Sequence, residues 1–180
     1  VKQQVKVVIR TRPTPDFASK NISLDTNQDE VPHTPFVNPP LDQTVTVSIP
    51  KDEKGGVVNN VQEQWKFKFD KLMHNASQES LFDYCAAESV ATVVDGFNGT
   101  VMCYGQTGSG KTFSMTGSTA NFKYRGLIPR AISKIFSEVG GRFDTQITVK
   151  ISYVEIYNEL LFDMLSGQAP HEQTGTDITV

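Results

Sequence analysis

The chain has 180 residues, 38% of them hydrophobic and 21% charged, which are values of a globular domain with a sizeable core. A net charge of −3 and a pI near 5.6 weigh against general nucleic-acid binding. No apolar run approaches the length of a membrane span, and the amino terminus lacks the apolar core of an export signal, so neither a membrane nor a secretory route is expected.

Residues 5–10 read as a strand, rich in β-branched side chains and followed by Pro13 and Pro15. Residues 26–43 are polar and carry Pro32, Pro35, Pro39 and Pro40; strands resume on both sides, so this is an exposed loop or insertion rather than a domain boundary. Residues 44–49 alternate Val45, Val47 and Ile49 with Thr44, Thr46 and Ser48, the pattern of a half-buried strand. Residues 65–69 alternate in the same way, with Lys66 and Lys68 on a solvated face. Residues 75–95 predict one helix, capped by Asn75 or Ser77 and ended by Gly96 and Gly99. Its apolar face is Leu81, Phe82, Cys85, Ala86, Val90, Val93, Val94 and Phe97.

Residues 101–104 are a short apolar run of strand type. A glycine-rich loop follows, and residues 112–115 can begin a helix. Residues 126–139 predict a further helix, with Pro129 in its first turn and Gly140 and Gly141 past its end. Ile128, Ile132, Ile135, Phe136 and Val139 give it a buried side. Residues 146–157 read as a long strand, fairly apolar on both faces, which fits a central strand covered on both sides. Residues 167–176 are polar loop, and 178–180 begin another strand. Strands interleaved with helices predict an α/β domain, a sheet with helices on both faces.

The loop carries the chemistry. Gly105-Gln106-Thr107-Gly108-Ser109-Gly110-Lys111-Thr112 fits the phosphate-loop pattern G-x-x-x-x-G-K-[ST] at every position. Glycines let backbone N–H groups turn inward and approach phosphate oxygens, which a Cβ would obstruct. A helix beginning at the end of the loop adds free amides and its positive dipole end. Lys111 can then reach the β- and γ-phosphates, and the Thr112 hydroxyl can ligate Mg²⁺. The alternative is a flexible glycine turn with an accidental lysine; strand, loop and helix in that order argue against it.

Cys85 and Cys103 make no metal-ligand pattern and are expected to be reduced, buried core thiols of an intracellular protein. Asn21, Asn75 and Asn98 each open a glycosylation sequon, read as chance without secretion. His33, His74 and His171 are scattered and read as surface or loop histidines. Guanine specificity is not expected: no N-K-x-D occurs, and the one D-x-x-G, at Asp52, lies upstream of the loop.

The residues resemble the kinesin motor domain. Arg10-Thr11-Arg12-Pro13 is similar to the family's R-x-R-P. The run from Phe97 to Met115 is similar to its strand, phosphate loop and helix start almost residue for residue. Gly126-Leu127-Ile128-Pro129-Arg130 resembles the start of the next helical segment. Ser152-Tyr153-Val154-Glu155-Ile156-Tyr157-Asn158-Glu159, then Asp163-Met164-Leu165, resembles the long strand and the turn after it. Gly55-Gly56-Val57-Val58-Asn59-Asn60, the run from His74 to Gln78, and Met102-Cys103-Tyr104 look most like the kinesin-nine branch, associated with cilia and flagella.

The resemblance implies a phosphate-loop NTPase head with a central, mostly mixed sheet and helices on both faces. ATP and Mg²⁺ are the implied ligands. The implied nucleotide site is residues 105–112 together with Phe113, Arg10, Arg12 and Pro13. Adenine would lie between Pro13, Arg10 and Arg12 on one side and the Phe113 ring on the other, since guanidinium and aromatic faces both stack on a base. Lys111 is the implied catalytic group, stabilising phosphoryl charge, and Thr112 the Mg²⁺ ligand. Glu155 and Glu159 read as structural or surface charges. The implied partner is the microtubule, with axonemal proteins beyond it, in the cytoplasm on the cytoskeleton and in the cilium or flagellum. No membrane and no nucleic acid are expected as partners.

The resemblance covers residues 1–180 as the amino-terminal half of one motor domain. The family's switches, N-x-x-S-S-R-S-H and D-L-A-G-S-E, do not occur in these residues. The chain is therefore expected to be a fragment of a longer protein or a truncated head, inactive as an ATPase by itself and short of half its sheet. A microtubule tether without productive motility is the alternative for the whole protein, and an unrelated phosphate-loop ATPase a third.

Overall fold

The computed structural model describes residues 5–11, 14–26, 43–49, 62–168 and 176–177. Arg12, Pro13, most of the predicted 26–43 loop, the Gly55–Asn60 run and the strand expected at 178–180 lie outside the described residues. The chain divides into two compact units, Val1–Gly141 and Arg142–Val180.

In the first unit, strand β1 (Val8–Arg10) pairs in parallel with β5 (Lys71–Met73), Arg10 opposite Met73. Asp70 clamps the start of this pair: its carboxylate accepts from the Val7 amide at 2.6 Å, and its own amide donates to the Val7 carbonyl at 3.1 Å. Strands β2 (Ile22–Asp25), β3 (Gln43–Ser48) and β4 (Gln64–Phe69) form an antiparallel meander. In β3–β4, Val45 faces Phe67 and Val47 faces Trp65, so the predicted alternation places like side chains across the ladder. Lys66 and Lys68 are exposed, as expected of a solvated face. Gln43, 5% exposed, ties the meander to β5: its amide donates to the Thr26 carbonyl and its oxygen accepts from the Leu72 amide.

The helix predicted over 75–95 is two helices, α1 (Gln78–Cys85) and α2 (Ala87–Val94). Of the two candidate caps, Ser77 does the work, its hydroxyl accepting from the Ser80 amide at 3.0 Å. The break is at Ala86, at φ −130°, pressed into the core at 3% exposure. Alanine is the best helix former, so no propensity signal marks this joint. Met73, Leu81, Phe82, Ala86, Val90 and Leu127 make the core, with Val8, Met115, Ala131 and Ile135 packed on it. Val93 and Phe97, assigned to the apolar face, are exposed.

A short helix α3 (Lys111–Met115) follows the glycine loop, then a 3-10 turn (Phe122–Tyr124) and α4 (Leu127–Gly140). The face of α4 differs from expectation. Leu127, Ala131 and Ile135 meet the core, whereas Ile128, Ile132 and Phe136 are exposed. The two stripes lie one residue apart, and both are apolar, so periodicity alone does not choose between them. Residues 101–104 run into the loop without a ladder partner among the described residues, with Met102 and Tyr104 exposed. An apolar run signals a wish for burial; a strand exists only where a second backbone accepts its hydrogen bonds.

In the second unit, β6 (Val154–Tyr157) and β7 (Leu160–Asp163) form a hairpin, and β8 (Thr176–Asp177) pairs with β7. The two-residue turn is Asn158-Glu159, both at positive φ, 48° and 64°, which matches the right-handed strand twist. Only the last four residues of the predicted 146–157 strand enter a ladder. Residues 146–153 have none among the described residues, and Ile151 and Tyr153 are exposed. The described ladders thus fall into three separate sheets. Among the described residues, no helix is long and apolar enough to cross a membrane.

Candidate functional site

The glycine loop is shaped by backbone conformations that side chains resist. Gly108 sits at φ +80° and Gly110, the residue before α3, at φ +96°. Beyond its chain neighbours, a Cβ at either position would meet nothing within 4 Å, so open space lies over both glycines. The Ser109 amide closes the turn onto the Gln106 carbonyl at 3.1 Å, and Gln106 and Thr107 are exposed on its rim. Lys111 folds back across the loop. Its ammonium donates to the carbonyls of Gly105 and Gln106, both at 2.8 Å. Among the described residues no carboxylate pairs with it. A cation held by neutral carbonyls within a glycine loop suits an anion. Thr112, the next residue, is exposed, so its hydroxyl is open to a metal-bound phosphate. These donors fit a polyphosphate with a hard divalent cation.

Beside the loop lies an aromatic and guanidinium pair. The Phe113 ring is 41% exposed, and the Arg10 guanidinium lies 5.4 Å from its centroid. Arg10 and Phe113 pair directly, as a cation over a ring, rather than facing each other across a gap wide enough for a base. One terminal nitrogen of Arg10 donates to Gln78 Oε1 and to Ser114 Oγ, both at 2.8 Å, and the other donates to the Ala76 carbonyl at 3.3 Å. Burial pushes the guanidinium below the usual arginine value, partly offset by Cys103 and Cys85. Arg12 and Pro13, the other expected members of this wall, lie outside the described residues.

Both cysteines are free and half-buried rather than fully buried. Burial pushes both thiols up; Cys103 raises Cys85 further, and Arg10 opposes the shift in each. Glu155 and Glu159 are exposed, on the second unit's hairpin.

Gln78 is the residue that sequence reasoning passed over. It is 3% exposed and joins Arg10 to the backbone of α3. A signal existed: Gln78 stands in line with Leu81, Phe82 and Cys85 at helical spacing, a polar residue on an apolar stripe.

Replacing Arg10 with alanine leaves buried Gln78 Oε1 and Ser114 Oγ without their shared donor. The expected loss of stability is about 2 kcal/mol, read by chemical unfolding; a change within about 0.5 kcal/mol would show that the node carries no load.

The kinesin motor domain family matches residues 10–179. The chain is 43% identical over 165 residues to kinesin-like protein KIF9 of Mus musculus, covering 92% of this chain and 19% of that protein. It is 46% identical over 170 residues to kinesin-like protein KLP1 of Chlamydomonas reinhardtii, covering 94% of this chain and 20% of that protein. The solved structure of a fast kinesin superposes with a TM-score of 0.65 at 30% identity, covering 93% of this chain and 41% of that one. The chain thus spans a fifth or less of the length of these two curated relatives.

Proposed function

Because the chain belongs to the kinesin motor domain family, we propose that it supplies the ATP-binding part of a head that hydrolyses ATP and works on microtubules. The observation that carries this reading is the loop itself. Gly108 and Gly110 hold positive φ with open space where a Cβ would stand, and the Lys111 ammonium rests on the loop's own carbonyls. On this reading residues 105–110 hold the phosphates through backbone amides, and Lys111 turns from the Gly105 and Gln106 carbonyls to the β- and γ-phosphates. Thr112 would hold the Mg²⁺. The cation, when bound, neutralises phosphate charge and so favours attack by water. The base stacks on the part of the Phe113 ring that Arg10, lying over it, leaves open; Arg12 and Pro13 are the other proposed members of the pocket. Residues 1–180 are the amino-terminal half of one motor domain, and the unladdered segments 101–104 and 146–153 take their partners from the rest of that head.

The microtubule is the proposed partner, and the likeness to KIF9 and to the kinesin-nine branch supports a cytoskeletal setting in a cilium or flagellum. A complete phosphate loop weighs against a static tether, which would have no use for Lys111. The test is equilibrium binding of Mg·ATP and Mg·GTP to the full-length protein. ATP is expected to bind at least about tenfold more tightly, because the N-K-x-D run that reads guanine does not occur in these residues. Failure to bind either nucleotide would remove the reading.

A further inference from the structure

Among the described residues, Gln43, Gln78 and Ser114 are the buried polar side chains, and two of the three converge on Arg10. The Gln78 carboxamide is satisfied on both ends. Its oxygen accepts from Arg10 at 2.8 Å, and its nitrogen donates to the Phe113 carbonyl at 2.7 Å and the Tyr124 carbonyl at 3.2 Å. The opposite orientation would set the amide oxygen against two carbonyls and the amide nitrogen against a guanidinium, so this one is fixed by chemistry.

The Phe113 carbonyl is an orphan of a helix end. Helix α3 is five residues long, and its Thr112 carbonyl takes both the Thr116 amide at 2.8 Å and the Gly117 amide at 3.1 Å. That leaves the Phe113 carbonyl without the amide a longer helix would supply. Gln78, from the first turn of α1, supplies the donor instead. A five-residue helix has little stability of its own, so its orientation is set by such ties. Arg10 adds a second tie to the same helix through Ser114 and lies over the Phe113 ring. The Tyr124 bond brings in the turn that follows α3.

We propose that Gln78 is a positioning residue for the base-stacking wall: it caps α3 at Phe113 and holds Arg10 against the ring, so that the ring is set before a base arrives. This rests on the nucleotide-binding reading above and deepens it. Loss of the cap releases the ring and its guanidinium support. Lys111 and Thr112 begin the same helix, but the phosphate end keeps its loop amides and the ties of Lys111 to the Gly105 and Gln106 carbonyls, none of which Gln78 touches. Gln78 therefore acts on affinity for the base, and much less on affinity for the phosphates.

The experiment compares binding of Mg·ATP and of Mg·tripolyphosphate, which has no base, in the full-length protein and in Gln78→Met and Gln78→Glu. Methionine keeps the volume and removes every polar contact. Glutamate keeps an acceptor for Arg10 but has no donor for the two carbonyls. Thermal midpoints establish that each variant is folded. In Gln78→Met, ATP is expected to weaken about tenfold while tripolyphosphate changes by less than about twofold. Gln78→Glu should fall in the same direction. If both ligands weaken equally, or neither changes, in whichever variant folds, Gln78 is an ordinary structural residue and the proposal is overturned. If the unaltered protein binds tripolyphosphate and ATP equally well, base stacking itself is wrong; if it binds neither, the nucleotide-binding reading has failed first and this proposal with it.

Discussion

Lys111→Ala is expected to cut ATP turnover by about a thousandfold while the fold survives. The two halves of that expectation come from the same contacts. Lys111 donates to two backbone carbonyls of its own loop, at 2.8 Å each, and among the described residues pairs with no carboxylate. Its removal deprives no buried acid of a partner, and loop carbonyls near the surface are satisfied by water. A charge that folding does not need is best explained by a ligand that does need it. In phosphoryl transfer, negative charge shifts toward the leaving oxygens, and a fixed ammonium stabilises that shift more than it stabilises the bound ground state. Lys111→Arg should rescue little, since the guanidinium fork is broader and differently hydrated than an ammonium. Single-turnover hydrolysis beside a thermal melt reads both halves. Turnover within about twofold of the unaltered protein would take Lys111 out of the chemistry.

Gly126→Ala is the second large effect, and it acts on folding. A Cβ at Gly126 would stand 2.5 Å from the Met115 carbonyl oxygen and 2.6 Å from both the Met115 carbonyl carbon and the Ser114 carbonyl oxygen. All three are backbone atoms, so no side chain can swing away. Gly126 is pinned as well, its amide donating to the Thr116 carbonyl at 2.9 Å. The added methyl must push the end of α3 away from the start of α4, where Leu127 enters the core. We expect a loss of about 3 kcal/mol, at the upper end for overpacking because backbone rather than side chains must move. Gly140 is the control. It lies in the last turn of α4 with nothing within 4 Å of a new Cβ, and Gly140→Ala should be neutral or stabilise by about 0.5 kcal/mol. Urea unfolding of the head separates the two. Equal midpoints for both variants would mean that the α3–α4 junction is looser than its close approach requires.

Phosphate-loop chemistry dictates residue types locally, which is why 105–112 was legible without a fold. The alternation of Val45 and Val47 and the serine at 77 were legible for the same reason: each signal is contained within one element, whereas Ile49 falls just past β3 and is exposed. Strands β2, β5 and β7 were not, because three or four residues carry no period; their pairing partners decide them. The opposite error came from apolar runs. Residues 101–104 and 146–153 have strand composition but no ladder among the described residues. The register of α4 turned on a choice between two adjacent apolar stripes, which only the core at Leu127 resolves. At the site, the resemblance pointed to Arg10 and Phe113, and the structure brings them into contact. What no local pattern could state is that Gln78, far from both in sequence, connects them.

The measurement that bears most directly on the account is steady-state ATP turnover by the full-length protein, with and without microtubules, beside Lys111→Ala. The account predicts slow turnover alone, a many-fold rise with microtubules, and neither in the variant. Turnover that is indifferent to microtubules, or a variant as active as the unaltered protein, would contradict it.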